Sequence, residues 1–459
     1  MVTTSLAFPN APVAEVTVPA LAPSRSAAAK PREHGIDVAR SFAMLGMLLV
    51  HTVTATLGNA FDANTSVTGR VLGPLVTLAS GRAQATFVIL AGLMIGWQAL
   101  RARTPAARRT LRISLVKRGV VIFLIGLALQ LYQEVVAQIL MFYGAYFVIA
   151  ALLIAIPSRW LLVGAVSAAL VLPVARASYE MHAWSGTSVA PHMWATSAED
   201  GESPPLLSAA PQASVMSEED KAAAEAAWEQ KKADQPDLAV TEPADGELDR
   251  IADELRQAPK TLFIQGTYPL VPEIALFLFG MALAGLGLSG LGSPRLLIAG
   301  LGGLVVLPVL SNMIGAISPE NPYLAALYVT DGHMPATFTL LTGWCYALVA
   351  LGVGIRLVRR VPRAAAALAA LGRWSLTFYI AHIVALVGFG ALGAPVPLYG
   401  EKGQIWTDLL GLGLIASIPI TIAALSLKFA GRRGPMEALV HRLSGVTRGR
   451  GGTSQSAAR

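Results

Sequence analysis

Apolar stretches of bilayer length recur along this chain, and they constrain its fold more than any single motif does. A helix needs about 20 apolar residues to cross ~30 Å of hydrocarbon, and such stretches fall at residues 36–57, 83–100, 119–133, 135–156, 160–175, 269–288, 295–315, 335–355, 366–392 and 406–427. With 54% hydrophobic and 14% charged residues, the composition is that of a membrane protein and not of a soluble enzyme. The expected fold is an all-α, polytopic integral membrane bundle of about ten transmembrane helices.

The connections between these stretches set the orientation. Residues 178–265 carry 17 Asp or Glu against 6 Lys or Arg, so the rest of the chain holds a net +18 although the whole carries only +7. Lys and Arg accumulate in short cytoplasmic loops, whereas long segments translocate largely regardless of charge. The connection holding Arg101, Arg103, Arg108, Arg109, Arg112, Lys117 and Arg118 is therefore expected to be cytoplasmic, as is the one holding Arg356, Arg359, Arg360 and Arg363. Both termini then lie inside, with Lys30 and Arg32 at one and Lys428, Arg432 and Arg433 near the other. The acidic segment lies outside.

This gives five regions: a disordered amino-terminal segment (1–32), helices one to five (33–177), an acidic extracytoplasmic loop (178–265), helices six to ten (266–443) and a disordered cytoplasmic tail (444–459). The first region contains Pro9, Pro12, Pro19 and Pro23 and lacks the basic start and apolar core of a signal peptide. Within the loop, Ser217 followed by Asp220 fits a helix capping box. The expected location is the cytoplasmic membrane, with the bilayer as a partner and no nucleic acid.

Cys345 is the only cysteine and falls inside the eighth stretch, so no disulfide staples the loop. No phosphate-cradling Gly-rich loop and no Gly-x-Ser-x-Gly elbow is present. The chemistry must come from ionisable groups in or beside the membrane, where a titratable side chain is expensive and marks a cavity or a partner. His51 lies roughly 9 Å below the outer end of the first helix, and His382 about 15 Å below that of the ninth, at 1.5 Å per residue. Glu273 enters the sixth helix from outside, and Asp331 and His333 precede the eighth. If the first, sixth, eighth and ninth helices pack together, His51, His382, Glu273 and His333 line one pocket, in which a neutral imidazole serves as general base.

At the cytoplasmic end, Asp37 and Arg40 are spaced to share one face of the first helix. They form either a local ion pair or, with Arg118 and Arg373, an anion site suited to the phosphates of coenzyme A. Arg82 opens the second helix on the outer side and is a cofactor-binding candidate only if that helix starts deep.

At these residues a family resemblance emerges. The run from Gly35-Ile36-Asp37-Val38-Ala39-Arg40 through His51 resembles the opening helix of bacterial membrane proteins related to heparan-alpha-glucosaminide N-acetyltransferase. Gly81-Arg82-Ala83 with Phe87 and Leu90-Ala91-Gly92 resembles the second helix, and Tyr143-Gly144 the fourth. Gly266-Thr267-Tyr268-Pro269 with Phe279-Gly280-Met281-Ala282-Leu283 resembles the sixth, and Gly372-Arg373-Trp374-Ser375-Leu376-Thr377 with Tyr379 and Ala381-His382 the ninth. Gly434-Pro435-Met436-Glu437 resembles the motif closing a domain-of-unknown-function branch of the same acyltransferase superfamily.

The resemblance implies a transmembrane acyltransferase that takes an acyl group, acetyl in the named relative, from cytoplasmic acyl-coenzyme A. The coenzyme is a cosubstrate and not a permanently bound cofactor, and the acceptor is an envelope saccharide or glycolipid. Two departures stand out. The animal enzyme's catalytic histidine lies in the loop after the first helix, where this chain has none between Thr52 and His182. His51 instead resembles the first-helix histidine of the wider acyltransferase-3 superfamily. His333 lacks the Pro-His-Ser setting of the branch. A proton-coupled transporter and a non-enzymatic scaffold remain as alternatives, the former opposed by the absence of an internal repeat and of paired broken helices.

Overall fold

Inside hydrocarbon every backbone N–H and C=O must be satisfied within the protein, which leaves helix as the economical choice for a single segment. The computed structural model describes residues 34–57, 67–132, 139–184, 263, 269–317, 321–330, 335–391, 404–429 and 432–444, and among them there is no strand. The helices are α1 (His34–Leu57), α2 (Val67–Ala79), α3 (Arg82–Arg101), α4 (Pro105–Tyr132), α5 (Leu140–Leu153) and α6 (Ser158–Trp184). After the acidic segment come α7 (Leu270–Leu283), the short α8 (Gly287–Leu291), α9 (Pro294–Ile317), α10 (Pro322–Tyr328), α11 (Thr337–Arg360), α12 (Pro362–Arg373), α13 (Ser375–Ala391), α14 (Gln404–Lys428) and α15 (Pro435–Leu443). The capping box at Ser217 and the termini lie outside the described residues.

The chain is a multi-pass helical membrane protein, and five or six spans are recognisable among its described residues. Among the described residues, Gly73–Arg101, Pro105–Tyr132, Ser158–Tyr179, Pro294–Ile317 and Thr337–Arg360 are long and apolar enough to cross a bilayer. Pro362–Arg373 with Ser375–Val387 makes a sixth if this pair, bent by 72°, is one broken span. α5 and α7 are apolar but short. At 1.5 Å per residue a helix the length of α5 covers about 21 Å, less than the ~30 Å core. Conversely, α4 absorbs the basic run Arg108 to Arg118 into its first half, where a loop is expected from the sequence.

α3 and α11 form the buried centre. α3 packs on α7, α11 and α1; α1 packs also on α11 and α12; α6 packs on α7, α4 on α5, and α9 on α11. α9 keeps most of its surface outside the bundle, with Ile298, Val305, Val306, Val309 and Met313 exposed as lipid-facing residues should be. Small residues let the central helices approach backbone to backbone. A Cβ on Gly280 of α7 would strike the Ile89 carbonyl of α3, and one on Gly92 the Phe277 carbonyl of α7.

The break between α12 and α13 has a specific cause. An interrupted helix exposes new N–H groups that need acceptors. Here Glu437, from the start of α15, supplies them: its Oε1 accepts from the backbone N–H of Leu376 at 2.8 Å and of Thr377 at 3.3 Å. The Thr377 hydroxyl donates to Glu437 Oε2 at 2.6 Å and accepts from the Met436 N–H at 3.1 Å, so each helix caps the other. Trp374 Nε1 donates to the Arg432 carbonyl at 3.3 Å. The carboxylate also complements the positive end of the α13 dipole. We expect Glu437→Ala to cost about 0.5–2 kcal/mol, the range for a lost amino-terminal cap, seen as a lower Tm in detergent. An unchanged Tm would refute this capping role.

Candidate active site

The two intramembrane histidines meet. His51 Nδ1 lies 3.0 Å from His382 Nε2, and the ring centroids are 5.3 Å apart with planes 14° from parallel. α1 and α13 pack directly, so the depth match expected from helical rise becomes a contact. The partners are not equivalent. His382 is fully buried, stacked on Phe378 with centroids 5.6 Å apart and met by the edge of Tyr379 at 5.2 Å. Its Nδ1 lies 3.3 Å from the Phe378 carbonyl, one turn back on α13. His51 is only partly buried. The Tyr379 hydroxyl accepts from the Ile139 N–H at 3.1 Å, which ties α13 to the amino end of α5 beside the pair.

Glu273 has a partner of its own. It is buried in the first turn of α7, and its Oε2 accepts from Gln84 Nε2 of α3 at 2.8 Å. α3 stands between: Ala83 faces Gly46 of α1, while the next residue, Gln84, faces α7. Glu273 is thus paired with α3 through Gln84. A carboxylate in an apolar helix needs a donor, and the nearest is an amide on the neighbouring helix. We expect Gln84→Leu to destabilise the protein by about 1–3 kcal/mol through the stranded carboxylate, and the double variant with Glu273→Leu to recover most of that loss. Equal Tm values for wild type and Gln84→Leu would sink this account. His333 and Asp331 lie outside the described residues.

At the other end of α1 the arginines gather. Arg40 Nη1 donates to Asp37 Oδ1 at 3.1 Å and to the Gly372 carbonyl at 3.3 Å. Asp37 and Arg40 thus form a local ion pair, and Arg40 also anchors the end of α12. The adjacent Arg373 donates from Nη2 to the carbonyl and hydroxyl of Ser426, each at 3.3 Å. Trp374 leads on to Arg432, and Arg433 lies within electrostatic reach of Arg118 on α4. Arg40, Arg373, Arg433 and Arg118 consequently occupy one end of the bundle. Arg82 does not join them. It is buried at the start of α3, where it donates to the Thr77 carbonyl at 2.6 Å and the Thr330 carbonyl at 3.1 Å, pinning α2 and the segment after α10. Among the described residues no cluster of His, Cys, Asp and Glu could hold a metal.

Residues 32–196 match the family model described as "Heparan-alpha-glucosaminide N-acetyltransferase, catalytic", and residues 292–447 match that described as "Protein of unknown function (DUF418)". Each match covers roughly a third of the chain, so the chain is similar to the former family in its first part and to the latter in its last. No curated protein and no solved structure matches it significantly. The acetyltransferase-type region contributes His51, Asp37, Arg40 and Arg82; the DUF418 region contributes His382, Arg373 and Glu437. The histidine pair thus joins one residue from each, across the α1–α13 contact. α7 with Glu273 falls between the two matches.

Sequence reasoning missed Gln84 and the role of Phe378. Gln84 carries a readable signal, an uncharged amide within an otherwise apolar stretch of α3. Phe378 acts through its carbonyl, which no side-chain pattern reveals.

Proposed function

We propose that this protein is a membrane acyltransferase that moves an acyl group, acetyl in the simplest case, from cytoplasmic acyl-coenzyme A to a hydroxyl or amine of an extracytoplasmic saccharide or glycolipid. The observation that carries this reading is the His51–His382 contact, a hydrogen-bonded imidazole pair deep in α1 and α13 with one partner buried and the other partly open. The catalytic family match of the region holding His51 supports it. Loop charge places the arginine end in the cytoplasm. There Arg40, Arg373, Arg118 and Arg433 form a basic approach for the coenzyme phosphates.

About 16 Å of α1 separates Arg40 from His51 at 1.5 Å per residue, a length suited to an extended pantetheine arm that carries the thioester to the pair. The acceptor oxygen or nitrogen bonds to the thioester carbonyl as the imidazole takes its proton. The C–S bond then breaks, and the imidazolium returns that proton to the departing thiolate. No permanently bound cofactor is required.

One observation favours a second reading. The 72° break between α12 and α13 is a discontinuous helix of the kind that proton-coupled transporters use, although they use it in pairs. Transport leaves the thioester intact. The deciding experiment incubates the purified full chain in nanodiscs with radiolabelled acetyl-coenzyme A, and longer acyl homologues, plus an envelope saccharide and lipid extract. Label in the extract matched by released thiol supports the transferase; intact thioester at every chain length, with folded protein, supports transport.

A further inference from the structure

We propose that His382 is a positioning residue that fixes the tautomer of His51, so that Nε2 of His51 carries the lone pair offered to the acceptor. The proposal takes its catalytic meaning from the function proposed above, but its structural half stands apart from it.

The assignment follows from counting protons along the chain of contacts. A carbonyl oxygen can only accept, so the 3.3 Å contact between His382 Nδ1 and the Phe378 carbonyl places a proton on His382 Nδ1. In a neutral imidazole the other nitrogen is then bare, and His382 Nε2 must accept. Its partner at 3.0 Å is His51 Nδ1, which must therefore donate. In the neutral pair His51 thus bears its proton on Nδ1 and its lone pair on Nε2. An unconstrained imidazole prefers the opposite arrangement, with the proton on Nε2.

Burial separates the roles. His382 is fully enclosed by Phe378, Tyr379 and His51, leaving no face for a substrate. His51 is only partly buried. The chain carbonyl, buried imidazole, partly buried imidazole therefore runs outward from the α13 backbone, and the mutual capping of α13 and Glu437 holds its first member in place. When His51 becomes an imidazolium, its Nδ1–H strengthens the bond to His382 without any proton leaving that nitrogen. A third group orienting a general base is the arrangement that keeps one tautomer available for proton transfer. Here it is an imidazole backed by a main-chain carbonyl instead of a carboxylate.

The test is nitrogen-15 solid-state NMR of the histidine-labelled full chain in lipid, with the signals of the pair assigned from their loss in His51→Asn and His382→Gln. Wild type is expected to show protonated Nδ1 and bare Nε2 for both residues. His382→Gln places an amide oxygen near the former Nε2 and should retain the His51 tautomer; His382→Leu removes the acceptor and should shift His51 to its Nε2-protonated form. A proton on Nε2 of His51 in wild type, or one tautomer shared by wild type and His382→Leu, overturns the proposal. In the transfer assay, His382→Leu should lower kcat by about 10²-fold or more with little change in KM, and His382→Gln should restore much of it. Equal losses in both variants, each eluting as a monodisperse folded protein, also overturn it. Absence of transfer in wild type defeats the functional reading, while the NMR result still decides the relay.

Discussion

His51→Ala is expected to cut acyl transfer by about 10²–10⁴-fold, the contribution of a positioned general base. Alanine alone is ambiguous, because it also leaves the buried Nε2 of His382 without its partner. A stranded buried acceptor costs about 1–3 kcal/mol, which can lower the amount of folded protein. His51→Asn separates the effects. Its amide nitrogen can occupy the place of Nδ1 and donate to His382, yet it offers no basic lone pair. Both variants should lose transfer, and His51→Asn should keep a Tm close to wild type. Transfer surviving in folded His51→Asn would remove His51 from the chemistry, whatever the reaction is.

The helical rise on which this expectation rests was readable from the sequence. Two histidines at similar depths in two apolar helices can meet if the helices pack, and α1 and α13 do. The pairing of Asp37 with Arg40 was legible for the same local reason, three residues being one turn. What escaped was long-range. Glu273 was legible as an intramembrane ionisable group, but its hydrogen-bond partner, Gln84 on α3, was not. Arg82 was a ligand candidate only if its helix started deep, and its bonds to the carbonyls of Thr77 and Thr330 were not legible. The break at Trp374 lay hidden in a continuous apolar stretch. Its cause is a carboxylate some 60 residues away, at Glu437. Family resemblance marked the motif around Glu437, and only packing shows that it caps the helix carrying His382.

Gly372→Ala is expected to damage the same centre from a distance. Gly372 sits where α12 crosses α1, and a Cβ there would press on the Asp37 carbonyl, with its carbon at 2.8 Å and Ser41 Oγ at 2.9 Å. The main obstacle is backbone, so no rotamer change relieves it. α12 must move off α1, which stretches the Arg40 bond to the Gly372 carbonyl and the Ser41 hydroxyl bond to the Leu368 carbonyl. Overpacking of this kind costs about 1–3 kcal/mol and occasionally more. Because α13 continues from α12, the displacement also reaches His382, so transfer should fall further than the loss of folded protein explains. Gly302→Ala on α9 is the matched control. Nothing lies within 4 Å of a Cβ there, and the same substitution adds helix propensity instead of strain. Thermal scans in detergent should order the proteins Gly302→Ala at or above wild type and Gly372→Ala well below it. If Gly372→Ala melts with wild type and transfers as fast, the α1–α12 contact does not position the pair.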